Sequence, residues 1–322
     1  MIEKNTMSIA AFNGIQPFVR MVKIKKAVNL KGVWKDFDHV LIYNMQGSLD
    51  WVIAGNRYHL EPNDLILIPP YMHHYTNKAD DDELVQYIIH FDLFEDEQRM
   101  ALPHKSAFEL EQKLPLPPRE KLFDDRVYVA TVPENDRIAF EKLFLRMYGE
   151  FFQRKEGYEL MLKGCQMQMM SIILRLFFGE EGKSSNSEQR KTSKTWKLVE
   201  NALEYIYLHV GDQLDNNSIS AAICVSPNYL SKLFQQYIGV PMHTYVLNYR
   251  VDRAARILAS GKYNITETAT QCGFSSIHSF SKAFKQLRGC SPSVYMDSMK
   301  DSNVPIEEST DYDLHKQVFY NK

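Results

Sequence analysis

One stretch of this chain is written twice. Leu230-Ser231-Lys232-Leu233-Phe234-Gln235-Gln236, followed by Gly239 and Tyr245, returns as Phe280-Ser281-Lys282-Ala283-Phe284-Lys285-Gln286, followed by Gly289 and Tyr295. Ser, Lys, Phe, Gln, Gly and Tyr match at a single offset. A repeat at such a period marks one supersecondary unit used more than once. Each copy is preceded by a short helical pattern and a turn. In the first copy these are Ser218 to Cys224 and then Val225-Ser226-Pro227; in the second they are Ile265 to Cys272 and then Gly273-Phe274-Ser275.

The physics of each copy is that of a helix-turn-helix. The short helix buries Ile219, Ala222 and Ile223, or Ile265 and Ala269. Ser226 or Ser275 then offers a side-chain oxygen to the free N–H groups of the next helix. Pro227 suits a first helical turn, because its missing N–H would have no intrahelical partner there. Leu230, Leu233 and Phe234 pack inward, as do Phe280, Ala283 and Phe284, and Gly239 and Gly289 end the helices by taking left-handed φ. The residues between face outward, where a recognition helix meets the major groove. Pro241 to Ser260 reads as one long helix joining the units, with Val246, Tyr249, Ala254, Ile257 and Leu258 inward and Arg250, Arg253 and Arg256 on its basic side. To read one face of DNA, the units must sit about one helical turn apart, roughly 34 Å.

At 322 residues the chain is long enough for two domains. The net charge of −2 excludes nothing by itself. Its distribution is more telling: Lys194–Met296 carries +4, while the segments before and after it carry −3 each. No apolar run is long enough to span a membrane, and the N-terminus is too polar for a signal peptide. Cys165, Cys224, Cys272 and Cys290 are scattered without metal spacing, which suits a reducing cytoplasm.

From about Ile15 to Phe94 the pattern is β. Short apolar runs at 40–43, 49–53, 64–68 and 85–91 are separated by turn signals such as Ala54-Gly55-Asn56 and Pro62-Asn63-Asp64, as expected of a sandwich or small barrel. The period then changes. Phe140, Leu143, Phe144, Met147 and Phe151 line one helical face, and a second helix rich in Met and Leu runs from about Tyr158 to Phe178. This pair reads equally as a dimerisation surface or as a cover on the barrel; a Met stripe of the kind formed by Met161, Met167, Met169 and Met170 is more often core. Gly179 to Ser193 is polar and Gly/Ser-rich, as a linker would be.

Residues 195–296 resemble the DNA-binding domain of the AraC/XylS family of transcription regulators. The pattern appears as Ile219-Ser220, Leu230-x-x-x-Phe234, Gly239, Arg250-x-x-x-Ala254-x-x-x-Leu258, Ile265-x-x-x-Ala269-x-x-x-Gly273-Phe274, Phe280-x-x-x-Phe284 and Gly289-x-Ser291-Pro292-x-x-Tyr295. Two departures fall in the first unit: Ser220 replaces a small Ala, and Cys224 stands where a turn Gly is usual. Gln46 through Tyr75 resembles the cupin-like sensor half of the same family, with Pro62-Asn63-Asp64 for its Pro-Gly-Asp turn.

The resemblance implies a two-domain α+β protein: a cupin-like β-barrel over 1–132, a helical pair over 133–180, a linker over 181–194, an all-α double helix-turn-helix domain over 195–296 and an acidic tail over 297–322. It implies base-edge readers at Asn228, Ser231 and Lys232 and at His278, Ser279 and Lys282, where Asn suits adenine and Lys suits guanine. The lysines serve phosphate contact equally well. Lys285, Arg288 and Arg250 are expected at the DNA backbone or the surface. Gln46, Tyr75 and Gln86 align with effector-contacting positions in sugar-responsive members, and Trp51 is either a stacking platform or a core aromatic. The implied partners are double-stranded promoter DNA, a small effector of the sugar kind, RNA polymerase and a second copy of the chain. Activation is the commoner outcome. Neither cofactor nor metal is expected: no His-x-His pair exists near Trp51, and the adjacent His73 and His74 would point to opposite faces of a strand. A metal-dependent cupin enzyme and a ligand-independent architectural protein are the alternatives.

Overall fold

The computed structural model describes residues 12, 14–28, 30–78, 82–102, 115–123, 126–178 and 194–301, and the chain divides into two units, Met1–Thr192 and Ser193–Lys322. Of the expected linker over 181–194, residues 181–193 lie outside the described residues, as does the tail beyond Asp301, while Lys194 belongs to a helix and not to a linker.

Nine strands build the first unit among the described residues: β1 (Phe18–Ala27), β2 (Leu30–Lys35), β3 (His39–Gln46), β4 (Leu49–Ile53), β5 (Asn56–Leu60), β6 (Asp64–Ile68), β7 (His73–Lys78), β8 (Leu84–Asp92) and β9 (Tyr128–Thr131). They form a five-stranded sheet in the order β1-β8-β3-β6-β9 and a four-stranded sheet in the order β2-β7-β4-β5. Neighbouring strands pair antiparallel, with Ile42 opposite Ile66 and Ile88, and Trp51 opposite Tyr58 and Thr76. The tight turns carry the conformations that their residues suggest. Gly55 (φ 81°) closes the β4–β5 hairpin together with Ala54 (φ 47°), and Asn63 (φ 74°) takes the left-handed region in which an Asn is tolerated.

Four strand segments match the apolar runs of the sequence, but β1, β2, β5, β7 and β9 carry no such run. β1 reads FVRMVKIKKA, with four charges in ten residues. Only pairing with β8 explains its buried Arg20 and Lys25. Arg20 forms an ion pair with Asp92, and Arg99 of the short helix α1 (Glu97–Met100) joins them with its Nη2 2.6 Å from Asp92 Oδ1. A buried charge is tolerated only when paired in this way.

The two expected helices are present as α2 (Glu134–Gln153) and α3 (Tyr158–Phe178). Phe140, Phe144 and Met147 of α2 and Met169, Met170 and Ile173 of α3 are buried in one core with Leu41, Tyr43, Leu65, Leu67 and Ile89 of the five-stranded sheet. Tyr87 and Phe144 stack with ring centroids 4.1 Å apart. The pair therefore covers one sheet. Burying an aromatic of this kind is worth roughly 1.5–3 kcal/mol. Met167 departs from the core reading of the Met stripe, being 49% exposed.

The second unit is helical: α4 (Lys194–Leu208), α5 (Asn216–Ala222), α6 (Pro227–Ile238), α7 (Met242–Ala259), α8 (Ile265–Gln271), α9 (Ile277–Arg288) and α10 (Pro292–Asp301). The last helix runs past Met296 into the segment expected to be tail, so that boundary moves outward by one turn. Phe280, Ala283 and Phe284 sit with Val251, Ala254 and Leu258 of α7 in the core of the second half.

Candidate nucleic-acid interface and ligand barrel

Helices α5–α6 and α8–α9 are the two expected helix-turn-helix units. Each opens on a capping box. Asp215 accepts from the Ser218 N–H at 2.7 Å, while the Asp215 N–H donates to Ser218 Oγ at 3.0 Å. Asn264 and Glu267 exchange the same pair of bonds, both at 2.9 Å. The turns close alike: the Val225 N–H donates to Ser220 O, and the Phe274 N–H to Ala269 O, each at 3.0 Å. Cys224 (φ 57°) and Gly273 (φ 73°) stand at equivalent turn positions. Ser220 is fully buried, and its hydroxyl is satisfied by donating to Asn216 O at 2.7 Å.

The second helices then present their outer faces. Asn228 and Lys232 of α6 are exposed, and so are His278, Lys282 and Lys285 of α9; Ser231 and Ser279 are half-buried. The Ser279 hydroxyl is also engaged locally, donating to Ser276 O at 2.8 Å. Gly239 and Gly289, both at φ 76°, end the two helices.

Several expectations need correction. The cap of α9 is Ser276, whose Oγ accepts from the Ser279 N–H at 3.1 Å, and not Ser275. Ala222 is exposed and not buried. Arg288 is not a surface cation: it is buried, with Nη2 2.9 Å from Asp252 Oδ1 on α7. Arg250 is likewise turned into the domain. Its Nε donates to Val210 O at 3.1 Å and its Nη2 to Asp212 O at 2.6 Å, just beyond the end of α4. Burial lowers its pKa. Gly273 meets the same place, since a Cβ there would lie 2.4 Å from Val210 O and 2.7 Å from Arg250 Nη2. Tyr229 and Ile277, which the sequence reading did not single out, are 44% and 48% exposed in the first turns of α6 and α9, beside the outer faces of the two second helices.

In the first unit, register sorts the sensor residues by face. Trp34 is paired with His74, and Trp51 with Thr76, so these side chains share one face of the four-stranded sheet. The rings of Trp34, Trp51 and His74 lie within 6.0 Å of one another. Lys25, paired with Gln86 in the other sheet, places its Nζ 4.9 Å from the Trp34 ring centroid, so both sheets turn these residues toward the interior. Gln86 is fully buried beside Asn44, and Trp51 is 3% exposed. His74 is held neutral at a pKa of about 4, chiefly by burial, with the cations of Lys25 and Lys23 adding to the effect.

Two of the four expected effector residues stand elsewhere. Tyr75 pairs with Val33 and Val52 on the opposite strand face, the one that carries the exposed Arg57, and its buried hydroxyl is pushed upward in pKa by desolvation. Gln46 is exposed at the end of β3, beyond a register shift that lets Asn44 take the inner place beside Gln86. His73 and His74 do point to opposite faces, as their adjacency requires.

The family described as AraC-like ligand binding domain matches residues 34–151, and that described as helix-turn-helix domain matches residues 219–298. The chain is an AraC/XylS-type transcription regulator. Among its AraC-type relatives, the uncharacterized HTH-type transcriptional regulator YisR of Bacillus subtilis is 25% identical over 295 residues, spanning 84% of this chain and 89% of that protein. The arabinose operon regulatory protein of Escherichia coli is 32% identical over 98 residues, spanning 30% of this chain and 34% of that protein. Apo ToxT from Vibrio cholerae aligns in structure over 87% of this chain and 97% of its own at 14% identity, with a TM-score of 0.39.

For this AraC-type regulator, the two matched families divide the work as the two units do: DNA binding in the helical unit and ligand binding in the β unit. The matched families and relatives are regulators and not enzymes. Among the described residues, no helix is long and apolar enough to cross a membrane.

Proposed function

We propose that a small effector, of the sugar kind, binds inside the barrel and changes how α6 and α9 engage promoter DNA, with activation through RNA polymerase as the outcome. The observation that carries this reading is the pair of capped second helices, each presenting an exposed polar edge: Asn228 and Lys232 on one, His278, Lys282 and Lys285 on the other. Asn228, Ser231, His278 and Ser279 are assigned to base edges, Lys232 and Lys282 to a base edge or phosphate, and Lys285 to phosphate. An effector can shift promoter binding only by as much as its affinity differs between two arrangements of the protein.

The active form is a homodimer acting in the cytoplasm, where free thiols such as Cys224 and Cys290 persist. Ile138, Leu145 and Phe152 of α2, at heptad spacing and 66%, 47% and 45% exposed, with Leu160 and Met167 of α3, support the dimer.

The test is binding of the full chain to the DNA beside its own coding region, across salt concentrations, with and without effector. Specific binding with a steep salt slope, weakened by roughly 1–3 kcal/mol in Lys282→Ala and His278→Ala, is the expected result. Equal binding to random DNA would refute the reading.

A further inference from the structure

We infer that Tyr229 and Ile277 read the 5-methyl groups of thymine in the major groove, at different positions in the two units. This rests on the assignment of α6 and α9 to base edges and adds the apolar part of that reading.

At the offset of the repeat the two second helices coincide in their caps, Ser226 and Ser276, in Ser231-Lys232 and Ser281-Lys282, and in their terminal Gly239 and Gly289. The shared Ser-Lys pair offers DNA the same donors and acceptors in both units. What differs is the first turn, which is Pro227-Asn228-Tyr229 in α6 and Ile277-His278-Ser279 in α9. The N-terminal residues of a recognition helix are those that meet base edges, so the difference falls where sequence is read. Each first turn holds one large apolar side chain, and not at the same place: Tyr229 coincides with Ser279, and Ile277 with Pro227.

Both side chains are exposed, although the inner faces of these helices bury Leu230, Leu233 and Phe234 in one and Phe280, Ala283 and Phe284 in the other. A single exposed apolar residue needs no explanation by itself, and it is the surroundings that give these two a meaning. Asn228 and Lys232 are exposed beside Tyr229, and His278 and Lys282 beside Ile277, so each apolar group is set in a polar surface of the kind that faces base edges. Residues three or four apart on a helix are neighbours. Tyr229 precedes Lys232 by three residues, and Ile277 precedes Ser281 by four. The helical repeat therefore puts Tyr229 on one side of the Asn228–Lys232 line and Ile277 on the other side of the His278–Lys282 line. Ile277 has no polar side-chain atom, so it distinguishes bases only through an apolar group, and in the major groove that group is the C5 methyl of thymine. The Tyr229 ring offers the same contact, and a Phe variant separates it from any contact of the hydroxyl.

The full chain first selects its sites from random duplex DNA. Each thymine of a selected site is then replaced in turn by deoxyuridine, which removes only the methyl from the major-groove edge, and affinity is measured by fluorescence anisotropy. The unaltered chain should lose about three- to fivefold in affinity at one thymine in each half-site, at different positions within the two, as burial of one methyl group requires. Ile277→Ala should bind thymine and deoxyuridine alike at one of these positions and Tyr229→Ala at the other, while Ile277→Val and Tyr229→Phe keep the response. The salt slope should stay the same in all four variants, because none removes a charge. Circular dichroism checks that each variant folds, and the deoxyuridine series on the unaltered chain needs no variant. Indifference of that chain to every methyl, or methyl responses that survive both Ala variants unchanged, would overturn the inference. Loss of the response in Tyr229→Phe would overturn the contact at Tyr229 by assigning it to the hydroxyl. Failure to enrich any sequence would overturn the base-edge assignment itself, and this inference with it; enriched sites that ignore the methyl would overturn this inference alone.

Discussion

The two helix-turn-helix units share their caps, their turn hydrogen bonds and their terminal glycines, yet differ where the chain changes direction. In the first unit one residue, Val225, separates the left-handed Cys224 from the cap Ser226. In the second, Phe274 and Ser275 separate the left-handed Gly273 from Ser276. The second turn is therefore one residue longer. Cys224 is exposed, so its Cβ has room. Gly273 faces Val210 O at a distance that no Cβ could keep. The same φ is thus a mild local strain in one unit and a packing requirement in the other. A left-handed turn demands glycine absolutely only when another backbone lies against it.

Gly273→Ala should lower the stability of the second unit by about 2–4 kcal/mol, through the forced separation of the turn from Val210. Cys224→Ala, at the equivalent turn position, should change stability by less than about 0.5 kcal/mol. Urea unfolding of the full chain measures both, and similar losses would show that the two turns are not distinct in kind. Arg250→Met should follow, at roughly 1.5–3 kcal/mol of stability, because the carbonyls of Val210 and Asp212 lose a charged donor. Were Arg250 a phosphate contact instead, stability would hold and only the salt slope of DNA binding would fall.

Lys282→Ala and Lys232→Ala compare the reading helices themselves. Each should cost roughly 1–3 kcal/mol of promoter affinity if it reads a base, with discrimination relaxed at one position; a phosphate contact would instead lower the salt slope by about one. Footprinting and salt titration separate these outcomes, and a different result for each lysine would show that the units read DNA differently. A comparably small effect, of opposite sign to that of Gly273→Ala, is expected from Cys224→Gly. Relief of an L-residue from left-handed φ is offset by the backbone entropy of glycine, leaving about 0.5 kcal/mol of stabilisation. Thermal unfolding checks it, and destabilisation would mean that the Cys224 side chain makes contacts that matter.

Much of this was legible from residues alone. The bounds of α2 and α3, the long α7, the buried Leu230, Phe234, Phe280 and Phe284 and the left-handed Asn63 all follow from period, cap and turn chemistry. The misplaced cap shows where such reading stops. Ser275 and Ser276 are adjacent, and a repeat in the second helices does not reveal an extra residue in the turn ahead of them. Arg288 and Arg250 look like surface cations because periodicity locates a residue on a helix but not the partner that its long side chain reaches. Asp252 is 36 residues from Arg288, and Val210 is 40 from Arg250. Gln46 and Tyr75 fail for a different reason. A strand offers two faces, and β7 is buried on both, so hydrophobic alternation does not say which face is inner.

What the sequence determined by itself is whatever depends on neighbours along the chain: the double helix-turn-helix, the β-to-helix order, the caps and the left-handed turns. Their causes are local, because a cap oxygen serves an N–H three residues on and the cost of a left-handed φ comes from the residue's own Cβ. Tertiary structure alone decided which polar groups became struts and which line the barrel. Those assignments rest on distances between residues that sheet pairing and helix packing bring together, and they are selected because buried charges and backbone groups must find partners that adjacency along the chain does not specify.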